Sequence, residues 1–213
     1  MKRPGPLLTL LAGLVLGLFL LTLDATTGTK TASSSYQEPS RSPAPVRSSA
    51  SPTPSRTPPP DADYAGRTAD DSAAVAVSLR DGKAIAYFCD GRTRESWLKG
   101  DLEDDGTLHL TGGHGAKLDG TLQDGRRIRG TVDVGSTHQA FTADKAEKPS
   151  GLWRATATVR SAKIDAGWIV LKDGTQVGIV TRDGKPSAAP AIDPATGAVT
   201  VDGQQLTARP ATP

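Results

Sequence analysis

Cysteine is the residue in this chain best suited to nucleophilic chemistry, and the chain holds a single one, Cys89. One cysteine cannot form an intrachain disulfide, and an unpaired cysteine in an exported protein can be a reactive thiol. Cys89, however, lies in phase with Ile85 and Tyr87 in a stretch of period-two alternation. Because buried cysteine behaves as a small hydrophobic residue, we predict a core position on an inward strand face and assign no catalytic residue.

The histidines are the natural candidates for a zinc site. They are His109, His114 and His138. No pair has the four-residue spacing of a helix or the two-residue spacing of a strand that would aim both rings at one metal ion. His114 lies in a Gly-Gly-His-Gly segment that is typical of a loop. We therefore predict solvated histidines, with no metal site and no cofactor.

Two motifs match known sites in part. Asp101–Gly106 has the acidic residues and the glycine that open an EF-hand calcium loop, but position 12 of such a loop falls on Gly112 and neither flank is helical. Ser96 and Lys99 have the S-x-x-K spacing of penicillin-recognising enzymes, but the chain has no K-T-G partner motif. We interpret the first motif as an acidic hairpin turn and give the second no catalytic role.

A small basic cluster, Arg126, Arg127 and Arg129, adjoins an Asp-Gly turn. Two interpretations remain open. The arginines would be solvated residues that guard a sheet edge against pairing with another sheet, or they would contact an anionic polymer or an acidic partner. On the second interpretation this cluster is the candidate binding site of the chain.

Tryptophans are a second candidate binding surface, because an exposed set of them could form a platform for a sugar or a peptide. They are Trp97, Trp153 and Trp168. Only 4% of the residues are aromatic, and in such a chain we expect tryptophan to be used in the core.

The elements that must position these residues are short strands. The Asp-Gly pairs that we interpret as turns begin at residues 81, 90, 105, 124, 173, 183 and 202, and this dipeptide favours the positive φ angles of tight hairpin turns. Apolar residues alternate between the turns, as in Val75, Val77 and Leu79, and no stretch shows a helical period over three turns. The sequence predicts an all-β domain, an antiparallel meander that forms a small barrel or sandwich.

A faint internal repeat places a glycine two residues before an aliphatic residue, at Gly100, Gly120 and Gly130. Glycine inside a strand marks a bend or a close backbone approach, as in a tightly curled sheet. The predicted domain covers residues 63–210, with a joint near 145–151. One barrel and two subdomains both remain open.

Residues 1–24 are predicted to be an N-terminal transmembrane or signal helix. Lys2 and Arg3 precede 17 uncharged residues, Leu7–Leu23, which as a helix would span roughly 26 Å against a hydrocarbon core of about 30 Å. Leu23 is too large for the −3 position of a signal-peptidase cut after Ala25. We therefore expect an uncleaved single-pass anchor at the cell membrane, with the C-terminal domain outside. The alternative is a protein secreted after signal cleavage.

Residues 25–62 are mostly Ser, Thr, Pro and Ala and are predicted to be a disordered linker, because they offer little apolar surface to bury. In extended polyproline form they would reach on the order of 100 Å. Residues 63–213 carry 19 Lys and Arg against 20 Asp and Glu, so the net charge of +2 comes from the N-terminal part. A domain near neutrality predicts no nucleic-acid partner.

The anchor, the linker and four segments of the domain resemble uncharacterised membrane-anchored extracytoplasmic proteins of high-GC Gram-positive bacteria. The four segments are Tyr64–Thr68, Ala84–Gly91, Ser150–Ala157 and Gly167–Gly174. The resemblance covers the whole chain. It implies a location at the cell envelope and brings no activity with it.

The leading hypothesis is a non-catalytic, membrane-tethered binding or cell-envelope structural module. Its partners would be the membrane, through the N-terminal helix, and a cell-wall polymer or an envelope protein. One rival is a small cell-wall-directed hydrolase or transferase whose residues meet only in space, and another is an accessory or sensor subunit of a membrane complex. A concave pocket that holds two of His114, His138 and Cys89, or a pair of carboxylates, would favour the enzyme.

We predict that the native protein keeps its N-terminus and stays in the membrane fraction, because the site after Ala25 is a poor substrate for cleavage. Intact-mass analysis after cell fractionation measures this directly and also reveals any sugar on the linker. A mature chain that begins near Thr26 and is free in the medium would refute the anchor.

Overall fold

The computed structural model describes residues 61–213. The predicted helix at 1–24 and all but the last two residues of the predicted linker 25–62 lie outside the described residues, so they stay predictions. Among residues 61–213, no helix has the length and apolar character needed to cross a membrane. The first strand begins at Ala62, one residue before the predicted start of the domain.

Residues 61–146 form a closed antiparallel barrel of eight strands in simple up-and-down order. These strands are β1 Ala62–Thr68, β2 Ala74–Arg80, β3 Lys83–Cys89, β4 Glu95–Leu102, β5 Thr107–Gly112, β6 Lys117–Gln123, β7 Arg127–Val134 and β8 Thr137–Ala146. A 3₁₀ turn, Gly113–Gly115, joins β5 to β6. Pairing of β1 with β8 closes the ring. The all-β prediction is confirmed, and of the two predicted shapes this part of the chain adopts the barrel.

The barrel interior is filled by side chains that alternate along each strand, as expected for a barrel of this size. Val75, Val77 and Leu79 share the interior face of β2, as their spacing predicted. The other large interior residues are Tyr64, Phe88, Leu98, Leu108, Leu110, Leu118, Ile128, Val132 and Phe141. The interior is therefore a packed core.

Interior glycines let the barrel strands coil tightly past one another. A Cβ at Gly130 would overlap the carbonyl oxygen of Asp119, and a Cβ at Gly100 would overlap that of His109. Gly120 lies directly opposite Gly130 in the β6–β7 register. The neighbouring backbone thus occupies the space that a side chain would need, as the glycine repeat predicted.

Residues 151–213 form a second sheet of five strands in the order β12-β11-β10-β9-β15 and a separate hairpin of two strands. The sheet strands are β9 Gly151–Val159, β10 Ala162–Val170, β11 Gln176–Arg182, β12 Lys185–Ala188 and β15 Arg209–Pro210, and the hairpin strands are β13 Ala198–Val201 and β14 Gln204–Thr207. The predicted joint near 145–151 lies between β8 and β9. Trp153 and Trp168 are buried between the sheet and the hairpin, as we expected for tryptophan in this chain.

The second sheet covers the outer wall of the barrel at β2 and β3. Ile169 and Ile179 of the sheet pack on Ile85, Tyr87 and Cys89 of the wall. These three wall residues share a face and are buried, as predicted, but they face the sheet and not the barrel interior. Both faces of β3 are buried, so alternation alone could not tell which face points inward.

Two kinds of hairpin turn use the Asp-Gly pairs. Asp81 and Gly82 both have positive φ angles, 51° and 74°, which is the backbone form of a two-residue hairpin turn. At the turn before β11, the carboxylate of Asp173 instead accepts the backbone N–H of Thr175 at 2.9 Å. Aspartate serves both turns, because it tolerates the left-handed region and can also bond its own backbone.

We predict that Gly130→Ala destabilises the protein by about 3 kcal/mol, because the added methyl group forces β6 and β7 apart. Chemical denaturation of the full chain measures the change. Gly113→Ala is the matched control, because a Cβ there meets no atom within 4 Å, and its effect should stay within about 0.5 kcal/mol. Equal stabilities of the two variants would contradict the proposed role of the barrel glycines.

Candidate functional site

The candidate site is a cleft of about 600 Å³ at the seam between the barrel and the second sheet. Glu95 and Trp97 reach it from β4, Asp165 from β10 and Thr181 from β11. His114 approaches from the 3₁₀ turn. Most of these side chains project from paired strands, so their positions are held by the sheet hydrogen bonds and not by loops.

Glu95 is fixed by hydroxyl groups from both sheets. The Tyr87 hydroxyl donates to Glu95 Oε2 at 2.5 Å, and the Thr181 hydroxyl donates to Oε1. Burial raises the pKa of Tyr87 well above its usual range, so the phenol stays protonated and keeps its donor. The half-buried carboxylate therefore ties the barrel wall to the sheet across the seam.

Arg154 of β9 links the second acidic group to the aromatic pair. Its Nε and Nη2 atoms donate to the two oxygens of Asp165 at 3.0 and 2.6 Å, and its guanidinium carbon lies 4.5 Å from the Trp97 ring centroid. Such a bidentate ion pair is among the stronger side-chain interactions. The arrangement fixes Asp165 at the cleft and holds a cation against Trp97.

Gly167 allows the sheet to approach this aromatic pair. The rings of Tyr87 and Trp97 stack with centroids 4.3 Å apart. A Cβ at Gly167 would come within 2.6 Å of Tyr87 Cζ and 2.7 Å of Trp97 Cζ2. Since any side chain would displace the rings, the width of the seam depends on this glycine. Trp97 is half-buried and still lines the cleft.

Cys89 is buried at the same seam, next to Tyr87. Burial raises the pKa of its thiol to about 12, and the Gly91 N–H donates to its sulfur at 3.2 Å. A thiol with such a pKa is protonated at neutral pH and is a poor nucleophile. The structure therefore places Cys89 as a buried hydrophobic residue, in agreement with the prediction.

The histidines do not meet. His109 contacts Asp119 at 2.7 Å and His138 contacts Asp133 at 2.5 Å, with both rings exposed on the outer barrel wall. His114 alone of the three lines the cleft. Among residues 61–213, no three His, Cys, Asp or Glu side chains are grouped to hold a metal ion.

The two partial motifs occupy ordinary β-structure. Ser96 and Lys99 both lie in β4, where Ser96 is buried and Lys99 is exposed. Positions three apart on a strand face opposite ways, so the S-x-x-K pair cannot act together. Asp101 and the turn after it belong to the β4–β5 hairpin, and Asp101 accepts a hydrogen bond from Lys83 Nζ at 2.5 Å.

The predicted basic cluster lies on the barrel wall and does not line the cleft. Arg127 Nε lies 2.5 Å from Asp144 Oδ1, Arg126 Nη2 lies 3.8 Å from Asp124 Oδ2, and Arg129 is exposed. The edge-guarding interpretation was wrong, because β7 is paired with both β6 and β8. The anionic-partner interpretation stays a prediction.

Sequence reasoning named Trp97 and His114 as candidates but missed Glu95, Asp165 and the Arg154 that holds Asp165. Arg154 and Asp165 interrupt apolar strands, Gly151–Val159 and Ala162–Val170, and a charge at such a position was the available signal. Glu95 carried no signal, because its partner Thr181 is 86 residues away.

Comparisons of the chain with protein-family models, with curated proteins and with solved structures find no match. The fold and the cleft therefore define the protein only as a class. Residues 61–213 form an all-β domain in which a closed barrel is covered on one wall by a second sheet.

We predict that iodoacetamide modifies Cys89 slowly in the folded protein at pH 9–10 and rapidly in denaturant. In the unfolded chain the thiol ionises near its usual pKa of about 8.5, whereas in the folded chain it stays protonated until about pH 12. Because folding raises the pKa of the Cys89 thiol, its contribution to the free energy of unfolding is present below about pH 8.5 and is lost as the pH rises from about 8.5 to about 12. Mass spectrometry follows the modification, and equal rates in the two states would show an accessible thiolate.

Proposed function

We propose that the protein is a membrane-tethered extracytoplasmic binding module whose ligand site is the cleft at the seam. The N-terminal segment would anchor the chain in the cell membrane, and the linker would hold the β-domain away from it. The expected ligand is a hydroxyl-rich glycan of the cell envelope. The cleft itself suggests this chemistry, because it presents Trp97 beside carboxylate and hydroxyl groups.

The observation that carries the proposal is that the oxygens of both carboxylates are held by hydrogen bonds from the protein. Both oxygens of Glu95 accept hydrogen bonds from hydroxyl groups, and both oxygens of Asp165 accept from Arg154. Each oxygen retains a further lone pair, which can accept a ligand hydroxyl. Because these side chains are already fixed on paired strands, they lose little conformational entropy when a ligand binds.

A second candidate function is hydrolysis of the same class of ligand. Glu95 and Asp165 line one cleft with His114, and a pair of carboxylates is what glycoside hydrolysis requires. This pocket meets the criterion that we set for the enzyme. The binding module is favoured, because Asp165 is paired with a guanidinium and Glu95 with two hydroxyl donors, whereas a general acid needs a carboxyl held neutral.

We predict that the full chain in neutral detergent sediments with purified cell-wall sacculi, and that Trp97→Ala and Glu95→Gln weaken this binding by at least about tenfold. His109→Gln is the control, because its exposed ring lies on the outer barrel wall outside the cleft, and its effect should stay within about twofold. Thermal melting confirms that each variant is folded. Sacculi binding that none of the cleft variants changes would rule out the seam as the ligand site.

The same incubation separates the two functions. A binding module leaves the sacculi intact and releases no reducing sugar into the supernatant. Release of soluble fragments by the wild type, lost in both Glu95→Gln and Asp165→Asn, would establish the hydrolase instead.

A further inference from the structure

A second recess lies on the other side of Arg154 from Asp165 and has a different chemistry. It is about 380 Å³ in volume and is bounded by Lys99 of β4, Arg154 of β9 and Arg209 of β15, with the hydroxyl groups of Thr156 and Thr212. Three cationic residues from three strands therefore line one hollow between the barrel wall and the edge of the second sheet. We call it the basic recess.

The two arginines of the basic recess are direct cross-strand partners. Arg209 pairs with Arg154 in the β15–β9 register, so their side chains project from the same face of the sheet, with Cβ atoms about 5 Å apart. Like charges directly opposite one another destabilise a sheet. Lys99 adds a third positive charge from the facing barrel wall.

The charges of the basic recess are only partly neutralised by the protein. Within residues 61–213, Asp165 is the one carboxylate that forms an ion pair with any of the three, and it pairs with Arg154. Asp101, the acidic neighbour of Lys99 along β4, is bound to Lys83 at 2.5 Å. Lys99 and Arg209 are both exposed. The recess thus keeps an excess of positive charge that a bound anion would offset.

We propose that the basic recess binds the phosphate groups of an anionic polymer. A tetrahedral phosphate offers several acceptor oxygens, and guanidinium groups match it with paired donors while lysine adds a compact charge. A recess between a barrel wall and a sheet edge suits a chain-like polyanion that can enter it, and suits a flat membrane surface less well. The residues that line the basic recess differ from those that line the cleft, although Arg154 also pairs with Asp165, and the proposal does not rest on the glycan proposed there.

The test is calorimetric titration of the full chain in neutral detergent with short-chain inorganic polyphosphate. We expect saturable binding that weakens as the NaCl concentration rises, and a loss of about tenfold in affinity for Lys99→Gln and for Arg209→Gln. Lys185→Gln is the matched control, because it removes the same charge from an exposed position on β12 outside both the cleft and the basic recess, and it should leave the affinity unchanged. Without ligand, Arg209→Gln should melt no lower than the wild type, since it removes one member of the like-charged pair.

Three results would overturn the proposal. Equal losses for Lys185→Gln and Arg209→Gln would mean that polyphosphate responds only to net charge. Equal affinity for polyglutamate would mean that the site does not select phosphate. Binding of phosphatidylglycerol in the micelle, with no binding of polyphosphate, would assign the cations to a lipid surface. Failure of sacculi binding at the cleft would leave this proposal standing, because none of these titrations uses the cleft residues.

Discussion

Close contact between the second sheet and one wall of the barrel is the constraint on which the rest of the structure depends. At its centre the backbone of Gly167 lies against the rings of Tyr87 and Trp97, and the surrounding wall is made of small residues such as Ala74 and Ala76. Because protein interiors are close-packed, one added methyl group at Gly167 would push the second sheet away from the barrel wall. The contact buries Cys89 and fixes β4 against β10, and so it shapes the cleft.

Charged side chains stand where this apolar contact ends, because solvent reaches only the borders of the seam. Glu95 and Asp165 lie at one border, and Lys99 and Arg209 lie at another. Arg154 takes part in both, through its ion pair with Asp165 and through its place in the basic recess. The same interface that stabilises the fold therefore presents two recesses of opposite character to solvent.

Local signals predicted the strands and turns well, and predicted the site poorly. The Asp81-Gly82 turn was readable from two residues, since φ preferences are local. The position of Cys89 was predicted in part, because alternation shows that it is buried but does not show whether it faces the barrel interior or the second sheet. The edge-guarding interpretation of Arg127 was wrong, because β7 is paired on both sides, and the residues of one strand do not show whether it lies at a sheet edge.

By itself, the sequence determined that this chain has an apolar N-terminal segment, a Ser/Thr/Pro/Ala-rich tract and an all-β domain built from hairpins. These features depend on composition, on period-two alternation and on turn residues, which act over a few positions. Only the tertiary structure decided that the barrel closes, that a second sheet covers its wall, and that Glu95 meets Thr181 while Arg154 lies opposite Arg209. The physical reason is that packing sets the register between distant strands, and charges and hydroxyl groups carry no local mark of the partner they will meet.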